Sequence, residues 1–160
     1  MLVYIVDDDP LYCKALEMFL RNTFPALDLV SFSNGEACLH ELHKGPDLIL
    51  LDYKLDSEFG YAWDGMQILK RVSSLSPGLP VVILSSCENA EVAMDFISNG
   101  AVDYVVKNEK SFAHVRNLLE QMKDDLWEEE DVPPVKMQQT PQLIGLAILI
   151  VFIIILLLKL

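Results

Sequence analysis

The chain has 160 residues, enough for one ordinary domain with some length to spare. Its 24 Asp and Glu residues outnumber 12 Lys and Arg, giving a net charge of −12, which argues against nucleic-acid binding because such binding rests on neutralising phosphates. Three widely spaced cysteines without a CxxC pair argue against a disulfide framework and predict free thiols in a reducing compartment, and the first residues lack a secretory signal pattern.

Five short apolar runs alternate with five stretches of helical periodicity over residues 1–127. The apolar runs are 2–6, 27–32, 47–52, 80–86 and 102–106, and the helical stretches are 10–23, 35–44, 65–75, 88–98 and 111–127. The third and fourth runs are almost continuously apolar, which is typical of strands covered on both faces. The pattern therefore predicts an α/β domain with a doubly wound sheet of five parallel strands.

The end of the chain has a different composition. Residues 128–141 are acidic and then rich in Pro and Gln, which predicts a tether. Residues 142–160 contain an apolar run, 143–158, without any polar side chain. As a helix this run spans about 24 Å, slightly short of a hydrocarbon core of about 30 Å. We expect a single transmembrane tail anchor, and the alternatives are a buried helix of a soluble core, an interfacial helix or a dimerising segment.

Chemically active side chains follow four of the five predicted strands. They are Asp7, Asp8 and Asp9 after the first strand, Asp52 at the end of the third, Ser85 and Ser86 at the end of the fourth, and Lys107 after the fifth. Ligands of such sheets bind beyond the carboxyl ends of the strands, so these groups are expected to meet in one pocket. Neighbouring carboxylates ionise readily around a cation such as Mg²⁺, and one of them can attack phosphorus while a hydroxyl and an ammonium stabilise the phosphoryl oxygens.

Residues 1–127 resemble the response-regulator receiver domain of two-component signalling. The resemblance rests on six features in the family's order: the acidic pair Asp7 and Asp8, Asp52 in "PDLILLD", "DG" at Asp64 and Gly65, Ser85 in "PVVILSS", Tyr104, and Lys107 in "NGAVDYVVK". It implies a flavodoxin-like (βα)5 fold for a receiver domain at 1–127.

The resemblance also implies roles for single residues. Asp52 would accept a phosphoryl group from a phosphohistidine on a sensor histidine kinase or a histidine phosphotransfer protein. Mg²⁺ would be held by Asp8 and Asp52, by Asp7 largely through water, and by the backbone carbonyl of Lys54.

The remaining implied roles concern the response to phosphorylation. Ser85 and Lys107 would contact the phosphoryl oxygens, and the switch pair Ser85 and Tyr104 would carry the signal to the face of the fourth helix, fifth strand and fifth helix. Such a protein is a phosphoacceptor rather than an enzyme, apart from its own phosphorylation and dephosphorylation.

Two departures from the family pattern lie beside the expected pocket. Asn108 follows Lys107 where the family usually has Pro, often with a cis bond, so the shape of this loop is open. The loop 53–63 is longer than usual and adds two carboxylates and aromatic side chains. It is either a lid that changes water access or a tolerated surface insertion.

We expect a membrane-tethered single-domain response regulator, with its receiver facing the cytoplasm and its output through an unknown downstream protein rather than nucleic acid. One alternative is a receiver-fold scaffold at the membrane that works without phosphorylation. Another is a phosphatase using Asp7 and Asp9 as a DxD pair, although the small residues such enzymes need next are missing. We expect Asp9 instead to cap the helix that Pro10 begins.

Overall fold

The computed structural model of the chain describes residues 1–55 and 63–130, which form five strands and five α-helices in alternation. The strands are β1 (Leu2–Val6), β2 (Asp28–Phe32), β3 (Leu48–Asp52), β4 (Val81–Ser85) and β5 (Asp103–Val106). The helices are α1 (Pro10–Thr23), α2 (Gly35–His40), α3 (Gly65–Leu75), α4 (Ala90–Ser98) and α5 (Ser111–Glu130), with a 3-10 helix at Leu42–Lys44. Residues Met1–Gln121 form one compact unit.

All five strands are parallel and lie in the order β2-β1-β3-β4-β5. This confirms the predicted five-stranded parallel sheet of the flavodoxin-like class. The order reverses at β1, which pairs with β2 on one side and β3 on the other. Ligand sites of doubly wound sheets lie at this reversal, beyond the carboxyl ends of the strands.

The central strands are buried on both faces. Every residue of β3 and β4 is buried, as are the last four residues of β1. One apolar cluster of the core includes four side chains that are at most 1 % exposed: Tyr4, Ile49, Ile83 and Phe96. Burial of such side chains contributes about 1.5–3 kcal/mol each, so the centre of the sheet is a rigid support for the groups at its edge.

Helix starts follow from capping side chains. Asp9 caps α1, where its Oδ1 accepts hydrogen bonds from the backbone N–H groups of Leu11 and Tyr12, and Pro10 occupies the first turn. The predicted capping role of Asp9 is thus confirmed. Asp64 caps α3 in a capping box with Gln67. These caps fix the points at which the chain leaves the sheet edge and enters each helix.

Three helices differ from their predicted extents, and the smallest difference is in α4, which begins at Ala90 rather than at residue 88. The second helical stretch, 35–44, divides into α2 and the 3-10 helix, which ends at Gly45 in a left-handed conformation with φ of 68°. Helix α5 continues to Glu130, three residues beyond its predicted end at 127. No proline occurs between Ser111 and Pro133, so no proline interrupts the helix earlier. The first residues of the predicted tether, 128–130, are therefore helical.

Within the ranges that the structure describes, no helix is long and apolar enough to cross a membrane. The remainder of the predicted tether and the predicted anchor at 142–160 lie outside these ranges, as does the centre of the long loop, 56–62. The anchor accordingly stays a prediction.

The three cysteines are free thiols, as predicted. Cys13 and Cys38 are buried, and burial raises the pKa of each thiol to about 12. Both are therefore protonated near neutral pH and unsuited to nucleophilic chemistry.

Candidate functional site

The acidic side chains predicted to meet at the sheet edge lie together. Asp7 directly follows β1 and Asp52 is the last residue of the neighbouring strand β3. Asp7, Asp8 and Asp52 each offer a carboxylate oxygen, and the three oxygens lie within 4.8 Å of one another. Asp7 is 2 % and Asp52 6 % exposed, whereas Asp8 is half-buried. The cluster is thus buried at Asp7 and Asp52 and partly exposed to solvent at Asp8.

Lys107 reaches this cluster from the end of β5, an edge strand of the sheet. Its Nζ lies 2.6 Å from Asp7 Oδ2 and 2.8 Å from Asp52 Oδ1. Its backbone N–H donates to the carbonyl of Ser85 at 2.7 Å, which fixes the end of β5 against β4. The long Lys side chain therefore extends past the end of β4 to pair with carboxylates on two other strands.

Burial and neighbouring charges shift the pKa values of Asp52 and Lys107. The pKa of Asp52 is raised to about 6, chiefly by burial; Lys107 acts in the opposite direction, and the carboxylates of Asp7 and Asp8 add to the rise. Burial lowers the pKa of Lys107, but its hydrogen bonds to Asp52 and Asp7 outweigh that effect and the net shift is upward. Lys107 is therefore an ammonium, and it stabilises the charged form of Asp52 against the effect of burial.

The donor set fits a divalent magnesium ion. Mg²⁺ prefers carboxylate and carbonyl oxygens, and three carboxylates on two adjacent chain segments provide them. The ammonium of Lys107 pairs with both Asp7 and Asp52, and its one positive charge does not neutralise these two carboxylates. Lys54 lies two residues beyond Asp52 with an exposed side chain, and the role of its carbonyl stays a prediction.

Ser85 and Tyr104 lie on the β4–β5 side of the site. Ser85 ends β4, is 1 % exposed, and its Oγ accepts a hydrogen bond of 3.0 Å from the backbone N–H of Cys87. The Tyr104 hydroxyl donates to the carbonyl of the same Cys87 at 2.9 Å. The residues predicted as a switch pair thus both contact residue 87, in the loop between β4 and α4.

The ring of Tyr104 also faces the fourth helix. Its centroid lies 6.0 Å from that of Phe96 in α4, and Phe96 in turn lies 5.2 Å from Tyr53, the residue after Asp52. An aromatic row therefore joins the end of β3 to the β4–α4–β5 side of the molecule.

The structure separates Asp9 from the acidic cluster. Its carboxylate accepts the two helix-capping hydrogen bonds of α1, and its backbone N–H donates to Asp7 Oδ1 at 3.0 Å. A DxD phosphatase would need this carboxylate free for acid–base chemistry. The geometry therefore disfavours the phosphatase alternative.

The "DG" motif has a packing reason. A side-chain carbon on Gly65 would lie 2.7 Å from the Asp52 carbonyl oxygen and 2.8 Å from that of Tyr53. The Gly65 N–H donates to the Tyr53 carbonyl at 3.1 Å. Glycine is needed here because α3 begins in close backbone contact with the end of β3, directly behind Asp52.

Asn108, which replaces the usual proline, closes the loop before α5 with its own side chain. Its Oδ1 accepts from the Lys110 N–H at 2.8 Å, and its carbonyl accepts from both the N–H and the hydroxyl of Ser111. No cis peptide bond occurs among the described residues, so the Lys107–Asn108 bond is trans. The loop shape left open by the sequence is thus set by an Asx turn.

One residue at the site gave no signal in the sequence. Tyr12, in the first turns of α1, places its ring 4.5 Å from Lys107 Nζ. A tyrosine within an amphipathic helix usually indicates packing, and its neighbour at residue 107 lies far away along the chain. Only the tertiary structure brings the two together.

Comparison with known proteins identifies sequence relatives of this chain. The family model of the response regulator receiver domain matches residues 3–120. Transcriptional regulatory protein ZraR of Salmonella typhimurium is 29 % identical over 124 residues, covering 71 % of this chain and 27 % of ZraR. DNA-binding transcriptional regulator NtrC of Escherichia coli is 32 % identical over 107 residues, covering 66 % of this chain and 21 % of NtrC. The chain thus spans about a quarter of the length of these relatives.

Solved receiver structures share the fold. The BeF3-activated receiver domain of Klebsiella pneumoniae RstA superposes with a TM-score of 0.65 at 24 % identity, covering 75 % of this chain and 97 % of that one. The response regulator domain of Thermotoga maritima CheB gives a TM-score of 0.62 at 25 % identity, covering 78 % and 94 %.

Proposed function

The chain belongs to the family of response regulator receiver domains, and from this premise we propose that Asp52 accepts a phosphoryl group from the phosphohistidine of a sensor histidine kinase or a phosphotransfer protein. Receiver domains are phosphoacceptors that histidine kinases phosphorylate and that bind Mg²⁺ at an acidic pocket. The observation that carries the assignment of Asp52 is its place in the cluster: it is buried, adjoins two further carboxylates, and lies 2.8 Å from an ammonium.

The chemistry proposed for Asp52 is a displacement at phosphorus. A carboxylate oxygen of Asp52 forms the new P–O bond while the P–N bond to the donor histidine breaks, and its electron pair returns to the ring nitrogen. Mg²⁺ held by Asp8, Asp52, the Lys54 carbonyl and, through water, Asp7 would supply positive charge for the phosphoryl oxygens. Asp52 is 6 % exposed, so its side chain meets little bulk water.

Lys107 and Ser85 are the groups proposed to contact the product. The ammonium already lies within hydrogen-bond distance of Asp52 Oδ1, so it is placed to follow negative charge onto a phosphoryl oxygen. The Ser85 hydroxyl accepts the Cys87 N–H and interacts with the Tyr104 hydroxyl, so its proton would leave Tyr104 to reach a phosphoryl oxygen. A hydroxyl that turns to the phosphoryl group would release residue 87, and with it the carbonyl that holds Tyr104.

The output proposed for the chain is contact with a downstream protein through the α4–β5–α5 face. Tyr104 supports this because it lies on β5 and packs on Phe96 of α4. We expect no enzymatic activity beyond the chain's own phosphorylation and dephosphorylation. Contact with nucleic acid is not expected either, on grounds of charge alone, although the relative NtrC is by name a DNA-binding protein.

We further propose that residues 142–160 anchor the protein in the cytoplasmic membrane, with the receiver facing the cytoplasm. The support is the uninterrupted apolar run 143–158 and the cytoplasmic origin of kinase phosphohistidine. The full chain should sediment with membranes and resist carbonate extraction, whereas a fragment ending at residue 131 should stay soluble. A full chain that remains in the supernatant would contradict the anchor.

Phosphorylation of the soluble fragment 1–131 tests the main proposal. With Mg²⁺ and acetyl phosphate, intact mass should show one added phosphoryl group on the wild type and none on Asp52→Ala. Equal labelling of both proteins would remove Asp52 as the acceptor. No labelling of the wild type would leave the phosphorylation-independent scaffold as the better account.

A further inference from the structure

The ammonium of Lys107 has a third neighbour besides its two carboxylates. The Tyr12 ring lies with its centroid 4.5 Å from Lys107 Nζ, within the range of a cation–π interaction. Lys107 is 16 % exposed at its side chain, so this contact forms away from bulk water, where such interactions are strongest. The ammonium is therefore held between an acidic side and an aromatic side.

The aromatic side is itself held by two helices. The Tyr12 backbone N–H donates to the capping carboxylate of Asp9 at 3.2 Å, which ties the residue to the start of α1. Its ring meets Phe112 of α5 edge to face at 5.5 Å, and Phe112 meets Phe19 at the same distance. A ring supported from α1 and α5 cannot turn away without disturbing both helices.

An open groove lies next to this contact. It has a volume of about 430 Å³ and is lined by residues that include Tyr12, Lys107, Asn108 and Phe112. A lysine side chain is long and flexible, so without a fixed support it can leave the carboxylates for this space. The Tyr12 ring lines this groove and contacts the ammonium at the same time.

We propose that Tyr12 is the positioning residue for Lys107, keeping its ammonium at the phosphorylation site while the carboxylates change partners. The proposal rests on the proposed function of Asp52. Binding of a divalent cation draws on the oxygens of Asp7 and Asp52, and phosphorylation converts Asp52 into an acyl phosphate. Both events weaken the ion pairs that now hold Lys107. An aromatic face is no ligand for Mg²⁺, so the ring contact persists throughout.

The hydroxyl of Tyr12 provides a matched control. It is buried without a well-formed hydrogen bond among the described residues, since the nearby Ser111 hydroxyl donates to the Asn108 carbonyl, so its removal should cost little. Tyr12→Phe keeps the ring face and the packing on Phe112, whereas Tyr12→Leu keeps an apolar side chain without a π face. Phe19→Leu removes a neighbouring ring that packs on Phe112 rather than on Lys107, and so reports on simple loss of packing.

Two measurements on the full chain in detergent separate these cases. The first is the initial rate of phosphorylation by acetyl phosphate with Mg²⁺, followed by intact mass. The second is the chemical shift of the Lys107 ε-methylene protons, which a ring face moves upfield. Tyr12→Phe and Phe19→Leu should keep both wild-type values. Tyr12→Leu should lose the upfield shift and react about 3- to 10-fold more slowly.

Several results would overturn the proposal: a wild-type rate or a retained upfield shift in Tyr12→Leu, loss of the shift in Tyr12→Phe, or equal slowing by Phe19→Leu. A wild-type chain that takes no phosphoryl group would instead contradict the function proposed for Asp52. In that case the difference in the Lys107 ε-methylene chemical shift between wild type and Tyr12→Leu would still test whether the ring holds Lys107.

Discussion

The two sides of the site are built in different ways. Its acidic side, formed by Asp7, Asp8 and Asp52, comes from the ends of two hydrogen-bonded neighbouring strands. Its cationic side is a single long side chain, Lys107, which reaches past another strand to the same carboxylates. The acidic side is therefore placed by backbone geometry, whereas the cationic side is placed by the contacts that its flexible side chain makes.

Removal of the ammonium should have the largest effect, because it leaves two buried carboxylates without their partner. We expect Lys107→Met to lower the free energy of unfolding by about 3 kcal/mol in metal-free buffer. Urea unfolding with EDTA measures this loss. Addition of Mg²⁺ should restore much of it, since a divalent cation can replace the missing charge.

A second substitution shows whether charge is the cause. In the double variant Lys107→Met with Asp7→Asn, one unpaired carboxylate is gone, so the variant should be more stable than Lys107→Met alone. Equal or lower stability of the double variant would mean that Lys107 acts mainly through packing of its methylene groups.

The backbone support of the acidic side is tested at Gly65. Its side-chain carbon in Gly65→Ala would collide with backbone atoms of Asp52 and Tyr53, which cannot rotate away. We expect a loss of about 2–3 kcal/mol in urea unfolding, together with slower phosphorylation. Gly78→Ala is the control: it has open space around it but a φ of 88°, so only about 1 kcal/mol should be lost, with no effect on phosphorylation.

The charge of Asp52 predicts a pH dependence of stability in metal-free buffer. Its folded pKa, about 6, lies above the ordinary value of 3.8 for an aspartate. A raised carboxyl pKa stabilises the folded state below the unfolded value, and this stabilisation is lost as pH rises through about 6.

Comparison with Asp52→Asn separates the contribution of Asp52 to the pH dependence of stability from the contributions of the other carboxylates. Between pH 4 and pH 7, the wild type should lose about 2 kcal/mol of stability relative to Asp52→Asn. Denaturant titrations at the two pH values give the difference. A wild type that instead gains stability over this range would show that Lys107 outweighs burial.

The smallest effect is expected in the loop of the cationic side. Asn108→Ala removes the acceptor of the Lys110 N–H and should cost about 1 kcal/mol, seen as a lower thermal midpoint. Phosphorylation should change little, because the Lys107 backbone stays bonded to Ser85. A large fall in phosphorylation rate would mean that the loop, and not Tyr12, positions the ammonium.

The sequence by itself determined the sheet, the strand ends and the helix cap at Asp9. Alternation of apolar runs with helical periodicity is a local property, and in a parallel sheet it places Asp7, Asp52, Ser85 and Lys107 at one edge. Local propensity did not fix where helices end: α5 runs on to Glu130 through residues that resemble a charged tether.

Tertiary structure alone decided how the groups at this edge contact one another. The contact of Tyr12 with Lys107, the close approach at Gly65 and the partners of Asn108 depend on how helices pack on the sheet and on rotamers of long side chains. Such contacts join residues far apart along the chain, and sequence periodicity carries no information about them. The acidic side of the site could therefore be predicted from the sequence, whereas the surroundings of the ammonium required the folded chain.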